Sequence, residues 1–378
     1  MKKHLPQLDG LRGLAVLIVV SGHLAVFGIG FGVKTLGPLP PIGVDLFFVL
    51  SGFLITNILI DARAGKNYYL NFYARRALRI WPLYAIVLVI IFALLNHHVR
   101  ILSFDETKIR WPFFALFLQN VVYRRAALLG PTALGLTWSL AVEEQFYLIW
   151  PVLVRKLSTK HLTMTLMMIV GMAPLARVLA IHIGVDPYIN PLCRFDGMAI
   201  GSLAVLWMRA RRHDEASIRR VAGRLLVISA TAEIIVVMAG LERYVSKTFV
   251  SLGFCAVLLA ALSSPWVIRV FSQAWLRHVG KVSYGIYLFH MLIGAALFTA
   301  FPGSSWSVRT ARVLGVILGS VGVATLSFQL VESPVLRLKR FFQANSFEER
   351  NIEMRPKTVS DHPQMELPVA VRANQTSV

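Results

Sequence analysis

The sequence has few charged residues and almost no cysteine. Asp, Glu, Lys and Arg make up 15% of its 378 residues, whereas soluble globular proteins contain roughly 25%. So low a content excludes an ordinary soluble domain of this length. The two cysteines, Cys193 and Cys255, lie at a loop edge and inside an apolar run, so they supply neither a disulfide framework nor a metal motif. We expect no metal site and no redox chemistry.

Apolar residues, in contrast, are abundant. Hydrophobic residues account for 56% of the sequence, and the mean hydropathy is +0.64. A transmembrane helix needs about 20 mostly apolar residues, and runs approaching this length recur almost to Val331. We therefore predict an all-α, polytopic integral membrane protein. The eleven candidate runs lie near residues 11–29, 43–60, 81–96, 112–123, 138–154, 162–183, 196–209, 221–240, 249–264, 283–301 and 308–331.

The distribution of basic residues indicates the topology. The run at 112–123 is short for a span, and without it one side of the membrane holds 22 Lys and Arg and the other holds 10. If this run crossed, the basic cluster at 209–224 would face outward, against the positive-inside rule. The sequence thus predicts about ten spans with both termini cytoplasmic. The net charge of +20 then reflects loop charge, and no nucleic acid partner is expected.

The two ends of the chain differ from the spans. The start "MKKH" is typical of a secretory signal, but Ser21 and His23 interrupt the apolar run and no small-residue cleavage site follows, which favours a retained first span. Residues 341–378 lack apolar periodicity and contain three prolines, so we expect a disordered cytoplasmic tail after a membrane domain at 1–340. No internal repeat is evident, which argues against an inverted-repeat transporter.

The first apolar run carries an arginine and a histidine on one helical face. Arg12 and His23 are eleven residues apart, so about 16 Å of helix axis separates them. In one interpretation the small residues between them permit close packing, while Arg12 reaches along the helix to the membrane surface. In the other, the face is a channel wall with an anion contact at its mouth and a general base at depth. The intervening residues on this face are Ala15, Val16, Val19 and Gly22.

Three arginines follow in "YARRALRIWPLY". Arg75 and Arg79 are four residues apart and Arg76 and Arg79 are three apart, so their guanidinium groups gather on one side of a helix. Such a helix either lies at the interface, attracted to anionic lipid, or forms a phosphate clamp, since arginine binds phosphate oxygens bidentately. The spacing alone is compatible with both interpretations.

A pair of carboxylates lies in "WSLAVEEQFYLIWP". Glu143 and Glu144 are about 7 to 9 Å along the helix from Trp138, near the depth expected for His23. Adjacent helical residues point about 100° apart, so we expect only one of them to face a shared site. A carboxylate beside an imidazole fixes its tautomer, so Glu143 or Glu144 is the expected partner of His23. A structural carboxylate pair with Gln145 is the alternative.

Six further polar residues are candidates for acceptor binding or for support of the site. A charged group at the centre of a membrane helix costs about 2.5 to 3.5 kcal/mol on insertion scales, so such groups usually have a function. Two structural alternatives remain open. Asp45 in the second run could serve only as a charge at a helix N-terminus, and Arg194 and Asp196 could form an ion pair at the membrane interface. The six are Asp45 and Ser51 in "GVDLFFVLSGFLIT", Arg194 and Asp196 in "CRFDGMAIG", His290 in "GKVSYGIYLFH" and Glu332 in "VESP".

These motifs, together with "LDGLRGLAVLIVVSGH", resemble the integral membrane acyltransferase-3 family from about Leu5 to Pro334. The family pattern of an arginine, ten residues and a histidine is matched by Arg12 and His23. The resemblance implies a ten-span enzyme that transfers an acyl group, usually acetyl, from an acyl-CoA co-substrate to a carbohydrate hydroxyl. His23 corresponds to the catalytic histidine, and the arginine and glutamate motifs correspond to the residues named above.

The resemblance also implies a setting. Members with an extracytoplasmic hydrolase-like domain carry it after the membrane core, and fewer than 50 residues follow Pro334, so a stand-alone member is expected. Such members lie in the bacterial inner membrane, contact lipid and glycan-assembly machinery, and modify exopolysaccharide, lipopolysaccharide or lipo-oligosaccharide. A transporter or flippase for a lipid-linked sugar is the alternative, because intramembrane charges also mark substrate pathways.

Overall fold

The computed structural model describes residues 5–26, 42–96, 110–124, 132–210 and 214–342. This part of the chain consists of helices and turns and contains no β-strand. The long helices are α1 (Pro6–Val26), α2 (Ile42–Ala62), α3 (Tyr68–Asn96), α7 (Trp138–Lys156), α8 (Thr159–His182), α9 (Phe195–Ala210), α10 (Glu215–Met238), α11 (Glu242–Ser263), α14 (Ser283–Ala300) and α15 (Trp306–Ser327). The short ones are α4 (Trp111–Ala115), α5 (Gln119–Val122), α6 (Thr132–Gly135), α12 (Pro265–Phe271), α13 (Ala274–Lys281) and α16 (Ser333–Arg337).

Among these described helices, seven have the length and apolar composition needed to cross a membrane. Three other long helices pack with them. Helix α1 carries Arg12 and His23, α7 carries Glu143 and Glu144, and α9 has only 16 residues. The run at 112–123 forms the helices α4 and α5 of 5 and 4 residues, too short to cross. The predicted all-α polytopic fold is confirmed. The tail predicted at 341–378 lies outside the described residues, except for residues 341 and 342.

Contacts between helix termini define two ends of the bundle. At one end Arg209 of α9 pairs with Asp61 of α2 at 2.7 Å, and Arg63 donates to the backbone carbonyl oxygen of Arg155. This end, where α1 also begins, is named the basic end. At the opposite end Arg194, which precedes α9, pairs with Asp45 near the start of α2.

Helix α2 is central to the bundle and crosses α9 so closely that the two backbones are in contact. Of its apolar window 67% is buried, the largest share among the seven apolar helices. A Cβ atom on Gly52 would lie 1.9 Å from the carbonyl oxygen of Met198, and one on Gly201 would lie 2.0 Å from that of Val49. Small residues let membrane helices approach this closely, because hydrocarbon tails provide no hydrophobic force between helices.

We expect Gly52→Ala to lower the free energy of unfolding by at least about 1 to 3 kcal/mol, because the added methyl group forces the two backbones apart. Unfolding in detergent micelles, followed by circular dichroism, measures this loss. Gly171→Ala in α8 is the matched control, since a Cβ there meets nothing within 4 Å. Equal stability of the two variants would show that the α2–α9 crossing tolerates separation.

Helix α1 is packed along the face that the sequence analysis considered. Ala15, Val16 and Val19 are fully buried in the hydrophobic core, so this face serves helix packing, and its interpretation as an open channel wall is wrong. Helix α13 also packs on α1, and a Cβ on Gly280 would lie 1.7 Å from the carbonyl oxygen of Asp9. The two helices therefore meet at backbone distance near the basic end.

Candidate active site

His23 of α1 and His290 of α14 form a hydrogen-bonded pair inside the bundle. His23 Nδ1 lies 2.9 Å from His290 Nε2, and the ring centroids are 5.1 Å apart. His290 Nδ1 lies 3.1 Å from the backbone carbonyl oxygen of Ile286, one helical turn earlier. Because a carbonyl oxygen only accepts, the network assigns the proton to His290 Nδ1, which makes His290 Nε2 the acceptor and His23 Nδ1 the donor.

This network leaves a lone pair on Nε2 of His23. That nitrogen has no partner among the described residues, and the side chain is half-buried. A neutral imidazole with a free lone pair is suited to remove a proton from a hydroxyl group. The expectation that Glu143 or Glu144 holds the imidazole is wrong, because His290 occupies the position beside Nδ1.

A cavity of about 380 Å³ lies between α1, α2, α3, α7 and α14, within the range of small-molecule sites. Helix α2 contributes most of its apolar wall, from Val44 to Ile58. The polar lining combines predicted residues with others that the sequence analysis did not single out. It consists of Asp9, Arg12, Ser51, Asn57, Arg76, Arg79, Ser139, Glu143, Tyr147, Ser283, Tyr284 and Tyr287.

The arginines of this cavity are available to an anion. Within the described part of the chain, neither Arg76 nor Arg79 has a hydrogen bond or ion pair, and Arg76 lies 5.6 Å from the ring centroid of Tyr147. Arg12 donates to Ser283 Oγ at 3.4 Å, so it lies inside the bundle and does not reach along its surface. Arg75 is absent from the lining, so the expected cluster of three arginines contains only Arg76 and Arg79.

The two adjacent glutamates have different surroundings, as their 100° offset predicted. Glu143 faces the cavity and accepts a hydrogen bond from Ser51 Oγ at 2.6 Å. Glu144 lies outside this lining, with its Oε2 atom 3.4 Å from Trp81 Nε1. Glu143 therefore places a carboxylate among the arginines, whereas Glu144 faces the exposed indole ring of α3.

Tyr287 lies between the cavity and the histidine pair. It lines the cavity, and its ring centroid is 6.1 Å from that of His290. Its hydroxyl group donates to the carbonyl oxygen of Leu136 at 2.6 Å and accepts from Ser139 Oγ at 2.6 Å. The cavity thus ends one side chain away from the imidazoles.

Charged residues at the opposite end form two buried ion pairs. Arg194 pairs with Asp45, whose other carboxylate oxygen lies 3.3 Å from Lys247 Nζ. Arg177 of α8 pairs with Asp196. The alternative of an ion pair between Arg194 and Asp196 is therefore wrong, and so is the alternative that Asp45 is only a helix-terminal charge. These residues link α2, α8, α9 and α11.

Glu332 lies at a second cavity, of about 570 Å³, at the basic end. A π-helical turn, Phe328–Glu332, joins α15 to α16 and leaves this carboxylate 7% exposed. Such turns are rare in proteins overall, and many of those that occur lie at functional sites. The second cavity shares Arg12, Arg79 and Tyr284 with the first, so the two adjoin.

Some of these residues were detectable in the sequence. Arg177 is a lone charge in the apolar run at 162–183, which marks it as a buried group with a partner. Ser283, Tyr287 and His290 follow a spacing of four and three residues, which places them on one helical face. The pairing of His23 with His290, 267 residues apart, has no local signal.

The fold and the site define a polytopic helical membrane protein with a paired imidazole next to an arginine-lined cavity. The chain matches the family model described as an acyltransferase domain over residues 5–331, and it belongs to that family. This confirms the resemblance found in the sequence. No solved structure matches the chain.

Named relatives are bacterial O-acetyltransferases. The chain is 31% identical to the peptidoglycan O-acetyltransferase OatA of Listeria monocytogenes, over 93% of this chain and 58% of that protein. It is 28% identical to the O-acetyltransferase OatA of Staphylococcus aureus, over 91% and 59%, and 29% identical to the putative peptidoglycan O-acetyltransferase YrhL of Bacillus subtilis, over 88% and 55%. The chain thus spans less than three fifths of each of these relatives.

Proposed function

We propose that this chain is a membrane-bound O-acyltransferase that moves acetyl from acetyl-CoA to a hydroxyl group of a surface or secreted carbohydrate, with His23 as general base. The observation that carries the proposal is the hydrogen-bond network that leaves Nε2 of His23 as a free acceptor. The family supports acyl transfer. The names of the relatives favour peptidoglycan as the first acceptor to test, ahead of exopolysaccharide and lipopolysaccharide.

In the proposed reaction His23 Nε2 takes the proton of the acceptor hydroxyl group as its oxygen attacks the thioester carbonyl carbon. The new C–O bond forms, the C–S bond breaks, and the imidazolium returns the proton to the departing CoA thiolate. His290 keeps the hydrogen bond of Nδ1 throughout, so it holds the ring in one orientation. General-base assistance of this kind contributes about 10² to 10⁴ in rate.

The arginines have a separate proposed role at the basic end. Arg12, Arg76 and Arg79 bind donor phosphates, because each presents a guanidinium group to a cavity in which acidic groups are fewer. Glu143 offsets part of their charge and anchors Ser51 of α2. Arg75 remains a proposed contact for a phosphate or for anionic lipid outside the cavity. By the positive-inside rule this end faces the cytoplasm of an inner-membrane protein, where acetyl-CoA is made.

Radiolabelled acetyl-CoA tests the proposal directly. Inner-membrane vesicles that contain the protein are incubated with the labelled donor and with peptidoglycan or polysaccharide from cells lacking the gene. We expect alkali-labile label in the glycan that depends on the protein. Movement of a lipid-linked sugar without acetylation would establish the flippase alternative instead. A second measurement omits the acceptor, and label on the protein under those conditions would replace direct transfer by an acyl-histidine intermediate.

A further inference from the structure

The second cavity has a charge pattern that the proposed chemistry at His23 does not use. Helix α13 contributes Arg277, His278 and Lys281 to its wall, and α1 and α3 contribute Arg12 and Arg79. The acidic groups that line it are Asp9 and Glu332. Four Lys and Arg side chains against two carboxylates favour an anionic ligand with more than one charge.

The wall also contains groups that suit a nucleobase. The ring of Phe328 lies at the cavity, with Lys281 Nζ 4.8 Å from its centroid. Aromatic faces stack on bases irrespective of sequence. Glu332 Oε1 is buried and has no hydrogen-bond partner in the described structure, and an unpaired acceptor of this kind favours a ligand that donates an amino group. Cationic, aromatic and acceptor groups therefore surround one space.

The two cavities differ in the chemistry of their walls. Apolar side chains of α2 dominate the first, whereas the second is lined mainly by ionisable and polar groups. Arg12, Arg79 and Tyr284 belong to both walls, so a ligand that crosses from one cavity to the other passes between these side chains. An acyl-CoA also consists of two chemically different parts, an uncharged acylated arm and a phosphorylated adenosine, which match the first and the second cavity respectively.

We propose that the second cavity binds the 3′-phosphorylated ADP half of acyl-CoA, with Arg277 and Lys281 at its phosphates and Phe328 against its adenine ring. This assignment rests on the proposed acyltransferase function for the identity of the donor. It implies a donor preference, because an acyl group carried on phosphopantetheine alone cannot fill the cavity. The protein would then use acyl-CoA and discriminate against carriers without the nucleotide.

Binding of adenosine 3′,5′-bisphosphate tests the assignment without any acetyl transfer. The full chain is placed in nanodiscs of neutral lipid, and the affinity for the nucleotide is measured for the wild type and for Arg277→Ala combined with Lys281→Ala. We expect the double variant to bind at least about tenfold more weakly, since it loses two charge-assisted contacts. Phe328→Leu, which keeps every charge, should also weaken binding. Arg269→Ala is the matched control, because Arg269 is an exposed arginine of α12 outside the cavity lining.

A second arm measures donor use. In the double variant we expect the apparent KM for acetyl-CoA to rise and kcat to stay near normal, whereas transfer from S-acetyl-phosphopantetheine should be unchanged. Nucleotide affinity equal in the wild type and all variants overturns the cavity assignment while leaving acyl transfer intact. An effect that appears only with anionic lipid in the nanodisc also overturns it, because the basic residues would then bind headgroups. If the wild type transferred no acetyl group, the proposed function would be refuted. The affinity for adenosine 3′,5′-bisphosphate would still show whether the second cavity binds the nucleotide.

Discussion

His23→Ala is expected to slow acetyl transfer by about 10² to 10⁴-fold, the range that a positioned general base contributes. The fall should appear in kcat, with the KM for acetyl-CoA nearly unchanged, because the donor phosphates are bound elsewhere. Initial rates with labelled acetyl-CoA in membrane vesicles measure both constants. The unfolding midpoint of the variant, recorded in detergent, serves as the control for folding. Near-normal turnover would remove His23 from the reaction.

Two substitutions of His290 separate positioning from packing. His290→Leu removes the acceptor of the His23 Nδ1 proton, so the imidazole is free to adopt the other tautomer, and we expect the rate to fall and its dependence on pH to change. His290→Gln retains a side-chain oxygen that accepts from Nδ1, so it should restore most of the rate. If both variants lost activity equally without any change in pH profile, His290 would have a packing role only.

Asp45→Asn is expected to lower the free energy of unfolding by about 3 to 5 kcal/mol, the usual cost of leaving a buried partner charge uncompensated. The carboxylate contacts both Arg194 and Lys247, and Asp45 and Arg194 are almost fully buried. Its loss therefore leaves two cations next to one another at the opposite end of the bundle. Denaturant unfolding in micelles, or the temperature of irreversible aggregation, reports the effect.

Asp61→Asn provides the comparison at the basic end. Asp61 lies at the other end of α2 and pairs with Arg209, but Asp61 is 50% exposed and Arg209 is 33% exposed. Water screens such a pair, so its removal should cost about 0 to 1 kcal/mol. Similar losses in both variants would mean that burial does not determine the strength of these ion pairs.

The all-α polytopic class and the failure of residues 112–123 to form a long helix were predictable, because both depend on the length and composition of the apolar runs. Of the ten predicted spans, seven have the length and apolar composition of a span in the described part of the chain. Which polar and charged side chains contact one another was not predictable in the same way. The sequence identifies His23, Asp45 and Arg194 as costly charges or polar groups within spans, and the structure gives each one a partner on another helix. Depth in the membrane follows from counting residues along a helix, whereas the partner depends on how helices are arranged around one another.

Arg194 and Asp196 illustrate this limit. They are two positions apart in the sequence, just before and within the first turn of α9, and a local ion pair was one of the two interpretations left open. On a helix, residues two apart point to different faces, and the fold supplies Asp45 and Arg177 to those faces. The predicted contact between Glu143 and His23 is wrong for a related reason. The two residues were expected at similar depth, but α14 places His290 beside Nδ1 of His23, where the carboxylate was expected.

The contact of α13 with α1 brings two elements that are far apart in the sequence so close that their backbones touch. Helix α1 carries the imidazole, and α13 carries the cations that we assign to the nucleotide. Under that assignment the residues that bind the nucleotide and the residue that takes the acceptor proton lie on two helices whose backbones touch. The packing of α13 on α1 therefore fixes how far the nucleotide end of the donor lies from the reacting imidazole.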